Sequence, residues 1–322
     1  MSTTVQYRAN GGVEQLQLVD IAAPEAGPGQ VRVQVRYAGL NPVDWKIVSG
    51  AFGPVDGASG NGTDYAGIVD QVGDGVEGFK PGDLVFGGLS QQAQTASLLV
   101  TDPAATLHLV PRGLGLDTAG ALHITGRTAI AGIRAIRPAE GETVVVSGAS
   151  GGVGVLAAQL ALNLGARVLG ISSERNAAAL RSLGIEPIAY GDGLADRLRA
   201  AAPDGIQAAF ATQGPDELDL FASLGVPADR TNSIGAGPGA AESHGVHTDG
   251  SGVAKHGDLD WLAKAIAYGH IQAPVERVFD VAEVHEAYRF LIEEHPVGKV
   301  VLQFPATPLT AEQRAALLDP AE

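Results

Sequence analysis

One stretch constrains this chain more than any other: Thr143-Val144-Val145-Val146, followed without a break by Ser147-Gly148-Ala149-Ser150-Gly151-Gly152-Val153-Gly154. A continuous β-branched run is the signature of a parallel strand buried on both faces. Val153, Leu156, Ala157, Leu160 and Leu164 then recur with the spacing of one helix face, and Gly165 is placed to end that helix. Arg167-Val168-Leu169-Gly170-Ile171 reads as a second strand, and strand, helix, strand at this spacing makes a βαβ unit and hence a parallel sheet. A glycine pattern alone is a weak signal. One that follows a buried strand and opens a helix has the context of a dinucleotide-binding turn. There the glycines let the backbone approach a pyrophosphate, and the helix start offers free N–H groups and the positive end of its dipole. The plain alternative is a glycine-rich turn in another kind of α/β protein.

The alternation continues with a helix over 176–183, a strand at 187–190, a helix over 194–202 and a strand at 207–211. The end of the second strand bears on which dinucleotide is read. It runs Ile171-Ser172-Ser173-Glu174-Arg175-Asn176. A carboxylate there pairs with a ribose 2′-hydroxyl, whereas Arg175 with the hydroxyls of Ser172 or Ser173 suits a 2′-phosphate. Charge pairing favours NADPH; Glu174 argues for NAD.

Before residue 115 the texture is different. Val31, Val33, Val35 and Tyr37 alternate with Arg32, Gln34 and Arg36, the period of a half-buried strand. Asn41-Pro42 ends it in a turn, 50–62 reads as a loop, and 68–72 and 84–86 are further short strands punctuated by glycines. Such spacing predicts a small antiparallel barrel. After residue 280 an amphipathic helix through Val281, Val284, Tyr288, Leu291 and Ile292 precedes a closing strand, Gly298-Lys299-Val300-Val301-Leu302, and the tail after Pro305 reads as a short helix.

Composition excludes several classes. With 322 residues, 45% hydrophobic and 18% charged, the chain is long enough for two domains and too apolar for disorder. It has no cysteine, which removes disulfides, thiolate nucleophiles and cysteine-held metals. A net charge of -15 repels phosphate backbones, so nucleic acid is not an expected partner. No apolar stretch reaches membrane-spanning length and the start lacks a signal-peptide pattern, so a soluble, cytoplasmic protein is expected.

The order and spacing of several stretches carry a family resemblance. They are Ala38-Gly39-Leu40-Asn41-Pro42-Val43-Asp44-Trp45-Lys46, Gly62-Thr63-Asp64-Tyr65-Ala66-Gly67, Val76-Glu77-Gly78-Phe79-Lys80-Pro81-Gly82-Asp83, the glycine loop, and Gly298-Lys299-Val300-Val301-Leu302. From about residue 5 to 303 the chain resembles the medium-chain dehydrogenase/reductase superfamily, in its zinc-independent quinone oxidoreductase (zeta-crystallin-like) branch. The resemblance implies an α/β fold: a GroES-like β-barrel catalytic domain built from both chain ends (1–118 and 266–322, tail included) plus a Rossmann doubly wound parallel-sheet domain (119–265). It implies NADPH, a quinone or α,β-unsaturated carbonyl substrate, and a homodimer. Zinc-dependent relatives place a Cys near 41 and a Gly-His-Glu near 62–64; Asn41 and Gly62-Thr63-Asp64 stand there in this chain, so no metal is expected. Matching also implies that Ser150, Gly151, Gly152 and Val153 border the pyrophosphate, and Thr128 is a further cofactor-binding candidate. Ser172, Arg175, Asn176 and Tyr190 then surround the 2′-phosphate, and Gln213, Ile234 and Gly235 border the nicotinamide. The turn Ala211-Thr212-Gln213-Gly214 departs from the family's usual Asp-containing turn, and 235–257 is unusually rich in Gly and His.

Hydride transfer to an enone places negative charge on the carbonyl oxygen, where a fixed donor lowers the barrier. Asn41 and Lys46 are the candidate catalytic residues; the plain alternatives are a turn-former and a surface lysine. Asp44, Trp45, Phe52 and His123 are candidate pocket residues, although Asp44 also suits a helix cap and His123 a core position. Tyr65 reads as core packing, and His244, His247 and His256 as residues of a mobile surface loop without metal-ligand spacing. Rival readings of the same fold are a biosynthetic enoyl reductase, a non-redox cyclase or isomerase, and a non-catalytic NADPH sensor.

Overall fold

In a computed structural model of the chain, residues 1–305 are described; the expected helix after Pro305 lies outside them. The chain divides into two compact units. One comprises Met1–Ile124, Leu259–Ala267 and the described residues from Val275, and the other Thr125–Asp258 with Tyr268–Pro274.

In the first unit β1 (Ser2–Tyr7) lies between β2 (Gln17–Ile21) and the two-residue β4 (Ser59–Gly60), so the segment expected to be all loop contributes one short strand. The larger sheet is organised on β3 (Val31–Gly39), which pairs antiparallel with β5 (Asp64–Val72) along its whole length. β6 (Leu84–Gly88) pairs with β5, β7 (Ser97–Val100) with the start of β3, and β8 (Leu107–Leu109) with β6.

The strict alternation expected in β3 holds only to Val35. The register against β5 shifts between Val35 and Tyr37, and a bulge of this kind changes which face the following side chains take. Ala38 is therefore buried and Tyr37 only half-buried. Gln34, expected on the open face, is buried because its amide donates to Asp70 Oδ2 at 2.9 Å, beside the fork of Arg32 on the same carboxylate.

The second unit is a parallel sheet ordered β11-β10-β9-β12-β13. Its strands are β9 (Thr143–Val146), β10 (Arg167–Ser172), β11 (Glu186–Ala189), β12 (Ala208–Ala211) and β13 (Thr231–Ser233). The chain moves outward from β9 to one side and then resumes on the other, which makes the carboxyl end of β9 beside β12 the topological switch point where such sheets bind ligands. Val144, Val145 and Val146 are fully buried. The helix Gly152–Asn163 departs from the one-sided pattern, since every residue from Gly154 to Ala161 is buried. Its many small residues let neighbours close on all sides.

The Gly- and His-rich stretch 235–257 is not one loop: it contains the helix Pro238–His244 and the start of the helix His256–Ala267. His247 makes a single parallel bridge to Asn232, whose side chain also clasps the backbone of Asp249 through both amide atoms, at 3.0 and 2.8 Å.

The chain then returns to the first unit through β14 (Val275–Asp280), the helix Val284–Glu293 and β15 (Lys299–Gln303). β15 runs antiparallel to the end of β3, pairing Val301 with Gly39. This last pairing is what brings residue 299 beside residues 40 and 41, about 260 positions earlier in the chain.

Candidate active site

In the first unit the polar side chains converge where β3 runs into the helix Pro42–Val48. Asn41 takes an extended backbone before that helix, Pro42 opens it, and the Asp44 carboxylate accepts the Asn41 N–H at 2.8 Å. This is ordinary helix-start chemistry, and it fixes Asn41 as the last extended residue. Across from it, β15 delivers Lys299, a buried ammonium. Its Nζ donates to Leu40 O at 2.6 Å and to Asn41 Oδ1, and lies 3.6 Å from Asp64 Oδ2. Asp64 is fully buried, and its Oδ1 accepts the Ile124 N–H at 3.0 Å. A further layer holds Asp44 and Tyr288: Thr63 Oγ1 lies 3.4 Å from Asp44 Oδ1, and the Tyr288 hydroxyl accepts from Asn61 Nδ2 at 2.8 Å and Gln94 Nε2 at 2.7 Å.

The electrostatics follow from burial. Loss of solvent, with the nearby Asp64 carboxylate, pushes Asp44 up to about 7 against the opposing pull of the Asn41 N–H and Lys299. Burial also lowers Lys299 from the usual lysine range, although Asp64 and Asp44 oppose that shift. Two atoms stand out: the Asn41 amide Nδ2 and the Tyr65 hydroxyl are buried without a hydrogen-bond partner among the described residues. A buried donor left unpaired costs about 1–3 kcal/mol, and such groups call for an explanation.

The other candidates of this unit fall in different places. Trp45 is half-buried and packs on the hydrophobic core, whereas Lys46 is exposed on the opposite side of its helix turn. The lysine at Asn41 is Lys299. The sequence signal for it was a charged residue inside an otherwise apolar closing strand. Phe52 is 70% exposed. His123 is buried at the start of the helix His123–Ile136, its ring lying so close to Gly88 that a side chain there would meet it.

In the second unit the loop 147–151 leads from β9 into the helix Gly152–Asn163, whose first N–H groups have no acceptor within the helix. Gly148 has φ +54°, and a Cβ on it would lie 2.5 Å from Thr212 Oγ1 and 2.6 Å from Gln213 Nε2. Gly154 packs so tightly that a Cβ would lie 2.2 Å from Gly148 O. These close approaches are what a loop needs to cradle a pyrophosphate, so the residues fit a dinucleotide. Ser150 Oγ accepts from Asn176 Nδ2 at 2.9 Å, which joins two candidate residues, and Thr128 is buried in its helix.

The end of β10 opens on a pocket of about 290 Å³ lined by Ser172, Ser173, Glu174, Arg181, Tyr190 and Arg197, among others. Arg175 lies in the adjoining turn Glu174–Asn176 and is not part of the lining. Arg197 is committed to the backbone carbonyls of Ala189, Gly191 and Asp192. Arg181, not among the residues singled out from the sequence, also lines this pocket.

Gln213, Ile234 and Gly235 come together at the ends of β12 and β13: Ile234 N–H donates to Ala211 O, and a Cβ on Gly235 would lie 1.6 Å from Gln213 O. The unusual turn is held by Glu217, also unforeseen. Its Oε2 accepts from Ser147 Oγ at 2.7 Å and from the Gln213 N–H at 3.1 Å, and burial raises its pKa. His244 bonds Asp219, and His247 bonds Asp229 O; these two histidines serve separate partners.

Comparison with known proteins agrees with both units. The alcohol dehydrogenase GroES-like domain family matches residues 27–121, and the zinc-binding dehydrogenase family matches residues 186–302. Quinone oxidoreductase 1 of Escherichia coli is 30% identical over 73% of this chain and 75% of its own. The quinone oxidoreductase of Pseudomonas aeruginosa is 29% identical over 94% of this chain and 99% of its own. The spectinabilin polyketide synthase system protein NorB of Streptomyces orinoci is 32% identical over 92% of this chain, which spans only 14% of NorB. Among solved structures, the E. coli quinone oxidoreductase complexed with NADPH superposes with a TM-score of 0.83 at 25% identity, covering 94% of this chain and 99% of that one.

The chain therefore belongs to the medium-chain dehydrogenase/reductase superfamily, in its quinone oxidoreductase branch, and is a nicotinamide-dependent oxidoreductase. No helix among the described residues is long and apolar enough to cross a membrane. The oxygens of Asn41 and Asp64 both face the Lys299 ammonium. A divalent cation there would meet a buried positive charge, so this donor set does not fit zinc.

Two outcomes follow. Gly154→Ala forces the helix away from Gly148 and is expected to destabilise the chain by about 1–3 kcal/mol and weaken dinucleotide binding, read by thermal unfolding and fluorescence titration. Asp44, raised in the folded chain, contributes stability that is present at low pH and lost as pH rises through about 7. Asp44→Asn is therefore expected to gain Tm relative to the parent on going from pH 5 to pH 8.5; a constant difference would contradict the assignment.

Proposed function

We propose that the chain is a zinc-independent, NADPH-dependent reductase of quinones or α,β-unsaturated carbonyls. The observation that carries this reading is the buried Asn41 Nδ2, a donor with no acceptor among the described residues, held beside the Lys299 ammonium. A site with a spare donor and a fixed positive charge suits an oxygen that gains negative charge during reaction.

When bound, the reduced nicotinamide supplies a hydride for the β-carbon of the acceptor. Asn41 donates from Nδ2 to the carbonyl oxygen, and the Lys299 charge adds to the stabilisation of that oxygen. Ser150, Gly151, Gly152 and Val153 hold the pyrophosphate through backbone N–H groups at the helix start, with Thr128 and Asn176 nearby as further candidate contacts. Ser172, Tyr190, Arg175 in the adjoining turn and Arg181 in the pocket wall receive the adenosine phosphate, and two arginines there favour NADPH over NADH. Gln213, Ile234 and Gly235 form the nicotinamide side. Trp45, Phe52 and His123 stay candidate pocket residues, and Lys46, exposed, is the weaker of the two lysines for the carbonyl.

A second reading, reduction of an enoyl thioester in biosynthesis, is favoured by the match over 92% of this chain to the polyketide synthase system protein NorB.

Oxidation of NADPH and NADH at 340 nm against a panel of quinones, enones and enoyl thioesters tests these readings. Turnover with NADPH is expected, and the panel ranks the acceptor class. Binding without turnover on any acceptor would contradict the reductase. Arg175→Ala and Arg181→Ala should each weaken NADPH at least tenfold more than NADH; equal losses would overturn the phosphate assignment.

A further inference from the structure

The two ends of the Asn41 side chain are chemically opposite: Oδ1 only accepts and Nδ2 only donates. An ammonium only donates. With Lys299 Nζ against this amide, the oxygen must face the lysine, because the reversed amide would set two donors against each other in a buried place. Lys299 is itself held by hydrogen bonds to Leu40 O and Asn41 Oδ1 and by the Asp64 carboxylate, whose Oδ2 lies 3.6 Å away as an ion pair, and Asp64 is anchored in turn by the Ile124 N–H. The ammonium thus has one position, and that position leaves Nδ2 buried, unpaired and turned away from it.

We propose that Lys299 is a positioning residue for the reduction: it sets the orientation of the Asn41 amide so that its N–H₂ end, and not its carbonyl, is offered to an acceptor oxygen of the substrate. This rests on the reductase reading above and names what aligns its donor. Preorganisation of this kind acts on the step in which charge develops and leaves ground-state binding of the cofactor nearly untouched.

The test is a double-mutant cycle on Lys299→Met and Asn41→Leu with the best acceptor of the panel. Each single change should lower kcat about 100-fold, with the NADPH Kd within about threefold of the parent, in keeping with loss of one aimed donor. The double variant should be no slower than the slower single one. Losses that multiply, or an unchanged kcat in Lys299→Met, would overturn the positioning role while leaving the reductase reading in place.

Lys299→Met strips Asp64 of its counter-charge, so Lys299→Met combined with Asp64→Asn keeps the buried site neutral and should show the same kcat loss in a stably folded chain. Asn41→Asp keeps the ammonium contact, removes the donor and is expected to be as slow as Asn41→Leu. Should the parent reduce no acceptor, the reductase reading fails by itself. A neutron structure of the parent enzyme then judges the lock separately: two deuterons on the Asn41 atom facing away from Lys299 support it, and two deuterons facing Lys299 overturn it.

Discussion

A buried ammonium tied to oxygens from distant parts of the chain is the interaction on which the first unit depends. Lys299 closes the large sheet chemically as well as topologically: β15 pairs with β3, and its first side chain reaches back to Leu40, Asn41 and Asp64. A lysine out of water is tolerated only where its charge is met and its donors are used. Both conditions hold here, and the same contacts fix the amide of Asn41. The sheet register, the helix start at Pro42 and the arrangement of charge are therefore one problem with one solution.

The second unit solves a different problem, close approach. Gly148, Gly154 and Gly235 each sit where a side chain would collide with backbone or with the Thr212-Gln213 turn. Glu217 binds that turn to Ser147, so the loop after β9 and the loop after β12 are held by a shared carboxylate. Glu217 anchors the Thr212-Gln213-Gly214 turn from the following helix.

Much of this was legible in the sequence because local patterns and fold agree. The valine run and the strand at 167–171 appear as read, and a helix follows the glycine loop as expected, although it is buried on all sides and not on one face. Asn41-Pro42 marked the end of the strand, and the structure opens a helix at that same point. What was not legible depends on contacts between distant residues. A charge in an otherwise apolar closing strand marks Lys299 only weakly, and the pairing of β15 with β3 is what separates it from Lys46 as the lysine beside Asn41. The bulge in β3 that turns Tyr37 outward comes from its register against β5, and the helix in the Gly-rich stretch after 235 carries too few apolar residues to show a period.

Transfer of hydride from the nicotinamide to a conjugated carbonyl is read out by isotope transfer. NADPH carrying deuterium at C4, on one face and then on the other, is incubated with the enzyme and an α,β-unsaturated ketone, and the product is read by mass and NMR. The account predicts deuterium at the β-carbon from one of the two labels. An unlabelled product from both, or no reduction of any conjugated carbonyl, would contradict it.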